Sequence, residues 1–156
     1  MNLWNRFVGA GLGLAALAGA CAAYAASPAI VAAINARKAN YKEIGGAFKT
    51  INDEIKTGSP DLATVRPLAR DLLTRASGQL KYFPKGSGPE SGEKTRAKAA
   101  IWADQSTFVR LHNEMLGAAR ALQAATVSGD VAAMTSARTT LGGACKACHD
   151  KFRESD

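Results

Sequence analysis

Near the end of the chain, "GGACKACHDKFRES" (142–155) gathers two of its three cysteines, Cys145 and Cys148, and one of its two histidines, His149, into five consecutive positions. The spacing is C-x-x-C-H, the attachment pattern of a c-type haem. Two thiols one helical turn apart can each add to one of the two vinyl groups of a porphyrin. The histidine that follows is then held beneath the iron as its proximal ligand. Two other chemistries share the C-x-x-C half of the pattern. A thioredoxin-like redox pair expects a strand before the motif and a helix after it, whereas this motif lies at the end of the sequence. A structural zinc site usually needs four ligands, and after export the one further candidate outside the motif is His112.

Haem of this type is attached outside the cytoplasm, so the amino terminus tests the assignment independently. "MNLWNRFVGAGLGLAALAGACAAYAAS" has an early arginine, an apolar run from Phe7 to about Ala20, and small residues at Ala23 and Ala25 that suit signal peptidase. Cleavage after Ala25 divides the chain into a signal peptide, 1–25, and a mature protein, 26–156, in the periplasm. Two rivals would leave it membrane-attached: retention of the uncharged run, which continues to Ala36, or lipidation at Cys21 in "LAGAC". Ser27 and Pro28 read as a helix start and weaken the first. Alanine where a larger aliphatic residue is usual weakens the second.

The mature length suits one domain with a modest core. The whole chain carries 20 Lys and Arg against 13 Asp and Glu, a formal +7, and the leader takes only Arg6 with it. These cations are scattered among acidic residues, with no dense run and no zinc-finger spacing, so they read as solvated helix faces and not as a nucleic-acid surface. Phosphate-cradling glycine loops, a Gly-x-Ser-x-Gly elbow and metalloprotease His-Glu pairs are absent, which points away from an enzyme.

The elements that must position the motif have a helical period throughout. Ile30, Ile34, Arg37, Tyr41, Ile44, Phe48, Ile51 and Ile55 form one stripe with alternating steps of four and three. "TGSPD" stops that helix, and a second runs from about Asp61 to Tyr82 with Leu62, Val65, Leu68, Leu72, Ala76 and Leu80 inward. It tolerates Pro67 only as a kink or late first turn. A third, from about Asp104, turns Phe108, Leu111, Met115, Ala118, Leu122 and Ala125 inward. After "VSGD" the fourth carries Val131, Met134, Ala137, Leu141, Cys145, Cys148 and Phe152 on one stripe. Two short connections and one long one, "FPKGSGPESGEKTRAKAAI" (83–101), predict an all-α, antiparallel four-helix bundle with a surface loop between its halves.

With these residues in view, the chain resembles cytochrome c′ and its relatives, the class II c-type cytochromes. The similarity runs through "ARKANYKEIGGAFKTI", "FPKGSG", "AAIWADQSTF" and "CKACHDKFR", and its specific element is a C-x-x-C-H motif near the carboxyl end. The resemblance implies a periplasmic bundle with one covalent haem c, thioethers at Cys145 and Cys148, and His149 as the iron ligand. Arg153 then matches the family's proximal-side arginine and Arg37 the arginine that meets a haem propionate. A lone inward arginine is costly unless paired. Phe83 and Ile101 resemble pocket-lining loop residues, with ordinary core packing as the other reading. Trp102 reads as a plug where the loop enters the third helix. Gly45 and Gly46 each cost about 1 kcal/mol of helix stability, which close approach of the backbone to haem or to a partner helix would explain. A homodimer would use first-helix faces such as Ala33, Ala36 and Ala47.

The sixth coordination position divides the family. Low-spin members, which act as electron carriers, place methionine four residues after the arginine; here that position is Tyr41. Neutral phenol is a poor iron ligand, and ionising it inside an apolar bundle is disfavoured. Met115 and Met134 fall on other helices, and His112, beside the inward Leu111, is expected to be partly exposed, with a ligand role as the other reading. The resemblance therefore implies a five-coordinate, high-spin haem capped by Tyr41, binding nitric oxide or carbon monoxide or carrying electrons to periplasmic redox partners. The alternatives are a low-spin electron-transfer cytochrome and a haem-free dithiol or metal-binding helical module.

Overall fold

The structure, a computed structural model, describes residues 26–155. The predicted leader, 1–25, with Cys21 and the cleavage site, lies outside the described residues. Four long helices carry the chain: α1 (Pro28–Lys56), α2 (Leu62–Ser77), α4 (Gln105–Ser128) and α5 (Val131–Phe152), with a single helical turn, α3 (Ala100–Ala103), ahead of α4. Among the described residues no helix is long and apolar enough to cross a membrane.

Each long helix starts where its sequence supplies a side-chain oxygen for an otherwise unpaired amide. Ser27 Oγ accepts from Ile30 N with Pro28 just inside the first turn, Asp61 Oδ1 accepts from Ala63 N at 2.9 Å, and Asp130 Oδ1 accepts from Ala133 N at 3.0 Å. Asp104 Oδ1 accepts from Thr107 N at 3.2 Å, while its Oδ2 accepts from Lys151 Nζ at 2.6 Å. That second bond ties the start of α4 to the turn of α5 that follows His149. Gly129, at φ +78°, ends α4 in the left-handed conformation that lets the chain reverse into α5.

The bundle packs α1 on α2, α2 on α4 and α4 on α5, whereas α1 and α5 meet only sparsely. One core fills most of the bundle and reaches Cys145, with Ile51, Leu72, Leu122, Met134 and Leu141 almost completely buried. A second, smaller cluster of Ala97, Ile101, Phe108, Leu111 and Phe152 closes one end. Between them the α1–α5 seam stands open.

The second helix is shorter than its period suggests. It ends at Ser77, and after Gly78 the chain tightens into a 3-10 turn, Gln79–Tyr82. Gly78 disfavours another α turn, and Gln79 turns fully inward instead. Pro67 remains inside α2 on an exposed face. The long connection also departs from a plain surface loop: Ser87, Ser91, Ala97 and Ile101 are buried in it. Its last part runs beside the carboxyl end as one antiparallel bridge, Lys98 N donating to Phe152 O at 3.0 Å and Glu154 N to Arg96 O at 2.8 Å.

The three alanines expected on free faces of α1 do not behave alike. Ala47 belongs to the main core, while Ala33 and Ala36 are half-buried. A Cβ built at Gly45 or Gly46 would meet nothing within 4 Å, so no partner helix of this chain requires either glycine.

Candidate haem site

The open seam is a cavity of about 640 Å³, within the size range of small-molecule and cofactor sites. Cys145, Cys148 and His149 form one part of its wall from α5. Arg37, Tyr41, Gly45 and Phe48 contribute from α1, and Phe108, Leu111, His112 and Met115 from α4. Phe83, Ile101 and Arg153 line it as well, so every site residue expected from the sequence meets in one space. Phe83 and Ile101 serve both readings at once, since each lines the cavity and also packs in or against the second hydrophobic cluster.

The motif lies on the final turns of α5, where helical geometry sets Cys145 and Cys148 on one face. Both are free thiols. Burial raises the Cys145 thiol and, with help from Cys145, pushes Cys148 up to about 11. Redox-active pairs depend on a thiol pKa well below the ordinary value, so this environment argues against a dithiol oxidoreductase. The zinc reading fares no better, because among the described residues no group of three or more His, Cys, Asp and Glu side chains could hold a metal ion. Burial and the nearby Arg153 charge lower the His149 pKa, Asp150 opposing them. The imidazole is thereby kept neutral, the form that binds a metal.

Arg37 is 3% exposed, and the structure supplies the partners that its inward position demands. Its Nη1 donates to Tyr82 O at 3.3 Å and Ser87 Oγ at 3.1 Å, and its Nη2 donates to Ser87 O at 2.8 Å and Thr95 Oγ1 at 2.7 Å. The guanidinium also lies over the Phe83 ring, 4.7 Å from its centroid. Arg37 therefore draws the long connection inward and holds it as the cavity's rim. The same Phe83 ring packs against Tyr41, Trp102 and Phe108, with centroids 6.4, 6.3 and 4.9 Å away. Trp102 Nε1 donates to Phe83 O and Pro84 O, which fixes the loop entry as a plug would.

Tyr41 is held protonated. Burial pushes its phenol far above the usual value, and the neighbouring Cys148 adds to the effect, while a contact with Gln79 acts the other way. His112 differs from expectation: it is 4% exposed and forms part of the cavity wall, with burial lowering its pKa. Helix α4 has neighbours on both sides, α2 and α5, and so buries a wider arc than a single stripe.

The residues fit a covalently held, dianionic porphyrin on several counts. Two protonated thiols and a neutral imidazole face one largely apolar space, and its lining includes Arg37, Lys38, Lys42, Lys94, Arg96 and Arg153 but no Asp or Glu. Such a cationic lining matches two propionates. Gly45, with nothing near its missing Cβ, leaves the α1 backbone open to whatever fills the cavity.

Sequence reasoning missed the residues that hold these groups in place. Ser87 and Thr95 grip Arg37, and Asn40 donates to Arg75 O and to Gln79 Oε1 behind Tyr41. Only the buried arginine signalled that such partners must exist.

Comparison with known proteins identifies the family and its fold. The sequence pattern of the family described as Cytochrome C′ matches residues 32–153. Cytochrome c′ of Rubrivivax gelatinosus is 42% identical over 101 residues, spanning 65% of this chain and 71% of that protein. Cytochrome c′ of Rhodospirillum rubrum is 36% identical over 143 residues, spanning 90% and 92%. The crystal structure of cytochrome c′ from Thermochromatium tepidum superposes with a TM-score of 0.75 at 30% identity, over 81% of this chain and 97% of that one.

Proposed function

The chain belongs to the cytochrome c′ family, and from that premise we propose that it is a periplasmic haem c protein with one open axial position, binding small gases such as nitric oxide and carbon monoxide. The observation that carries this reading is the meeting of Cys145, Cys148, His149 and a protonated Tyr41 on one cavity. When bound, the haem supplies an iron centre that can exchange one electron and take a diatomic ligand.

The chain's own residues do the rest. Cys145 and Cys148 would hold the cofactor through thioethers, and His149, neutral, would offer a ring nitrogen to its iron. The bond from Arg153 N to His149 O, 3.0 Å, and the Lys98–Phe152 bridge fix the turn that carries this histidine. Arg37, part of the lining, would meet a propionate when the haem is bound, its Nη1 and Nη2 being already given to the loop. Tyr41, a neutral phenol in the cavity wall, would cover the open side of a bound haem without ligating the iron. Phe83, Ile101 and Phe108 exclude water from the interior. The surrounding lysines favour acidic redox partners if electrons are exchanged.

A second reading has its own observation. His112 is buried, lines the cavity and is kept neutral, which suits a second axial ligand in a low-spin electron carrier. The absorption spectrum of the ferrous protein, with and without carbon monoxide, separates the two. A high-spin spectrum that shifts on adding the gas is expected; a low-spin spectrum indifferent to it would replace the first reading with the second.

A further inference from the structure

The groups behind Tyr41 form a chain whose hydrogen-bond polarity is fixed from one end. It starts at the backbone carbonyl of Arg75, which can only accept. Asn40 Nδ2 donates to it at 3.0 Å, so that atom is the amide nitrogen, and its second proton goes to Gln79 Oε1. Gln79 is 0% exposed and cannot turn over, because a flipped amide would set two NH2 groups against each other. Its Nε2 is therefore the remaining end. That nitrogen is buried without an acceptor of ordinary hydrogen-bond geometry, and the Gln79 side chain lies against the Tyr41 hydroxyl. An amide nitrogen can only donate, so the role that would satisfy Gln79 Nε2 is acceptance by the Tyr41 oxygen, and that role leaves the phenol proton for another partner. Tyr41 is also part of the cavity wall.

We propose that Asn40 and Gln79 are positioning residues for Tyr41, presenting its hydroxyl proton to the cavity so that the site favours a small ligand whose outer atom accepts a hydrogen bond. This rests on the gas-binding reading above for its consequence, but the polarity of the chain does not depend on it. A purely apolar cap would discriminate among diatomic ligands by size alone. A phenol with a directed proton discriminates by acceptor strength as well, since an unmade hydrogen bond at a buried site carries the full desolvation penalty.

The test uses the haem-loaded protein and the tyrosine Raman doublet, whose intensity ratio separates a phenol that accepts from one that donates. Subtracting the spectrum of Tyr41→Phe isolates Tyr41. The wild type is expected to give the acceptor signature, and Gln79→Met to lose it. Asn40→Asp is the sharper variant. A carboxylate at position 40 only accepts, so Gln79 turns its Nε2 to that carboxylate and its Oε1 to Tyr41, and the doublet inverts to the donor signature. With carbon monoxide bound, Gln79→Met should raise the C–O stretch in the direction that Tyr41→Phe does. A donor signature in the wild type, or one unchanged in both Gln79→Met and Asn40→Asp, overturns the proposal. A doublet that responds as expected in a protein that takes up no carbon monoxide upholds the relay and removes the gas-binding reading instead.

Discussion

Replacing Arg37 with leucine removes a buried side chain whose hydrogen bonds join α1 to the long connection. Of the four acceptors it holds, two have other partners: Ser87 Oγ donates to Pro84 O, and Thr95 Oγ1 accepts from Ala97 N. The Ser87 and Tyr82 carbonyls depend on Arg37, and Ser87 is fully buried. Leaving a buried acceptor unsatisfied costs about 1–3 kcal/mol, and loss of the cation over Phe83 adds about 1 kcal/mol. Leucine returns part of this, because burying the arginine charge is itself unfavourable, as the lowered pKa of Arg37 records. A net loss of about 2–3 kcal/mol follows, or roughly 6–12 °C in Tm for a domain of this size. Thermal unfolding followed by circular dichroism measures it, and amide exchange over residues 83–99 should rise in parallel. Arg37→Lys keeps the charge without the planar fork and should recover less than half of the loss. An unchanged Tm together with unchanged loop exchange would show that Arg37 does not hold the loop.

Replacing both Cys145 and Cys148 with serine should leave any haem extractable by acid and organic solvent, and Cys148→Ala alone should leave at most one thioether; solvent extraction followed by absorption reads both. Tyr41→Met should convert much of the protein to a six-coordinate low-spin form and suppress carbon monoxide binding, whereas Tyr41→Ala should speed ligand entry, as flash photolysis would show. If Tyr41 only packs, both changes alter stability and leave spin state and kinetics alone. Stability should fall as pH drops through about 6.5, because the unfolded chain protonates His112 while the folded state resists it. His112→Leu should flatten that decline in denaturant titrations between about pH 7.5 and 5.5, while the wild-type plateau above about pH 7 persists.

Much of this was readable in the residues because one period governs each helix. Ile34, Arg37, Ile44, Ile51 and Ile55 are all buried on the α1 stripe, and Tyr41 shares that line four residues after Arg37. The stripe of α5 likewise carries both cysteines to the cavity. What the period could not convey was the width of each buried arc. His112 and Ala47 flank stripe positions and are buried because a second neighbour packs there. Nor could it convey contacts closed by the loop. Ser87, Thr95 and Gln79 are small or polar residues in irregular segments, where no repeat marks the inward side, and their roles appear only when Arg37 and Tyr41 are seen in place. The break at Gly78 was the one local sign that the second helix stops early.

The claim beneath all of this is that the exported protein carries one haem bound covalently through Cys145 and Cys148. Intact mass under denaturing conditions tests it most directly, on protein matured in a host that attaches c-type haem in its periplasm. The account predicts the mass of residues 26–156 plus a single haem, with no thiol left to alkylate. A colourless protein at the bare polypeptide mass, with two free thiols, would contradict it.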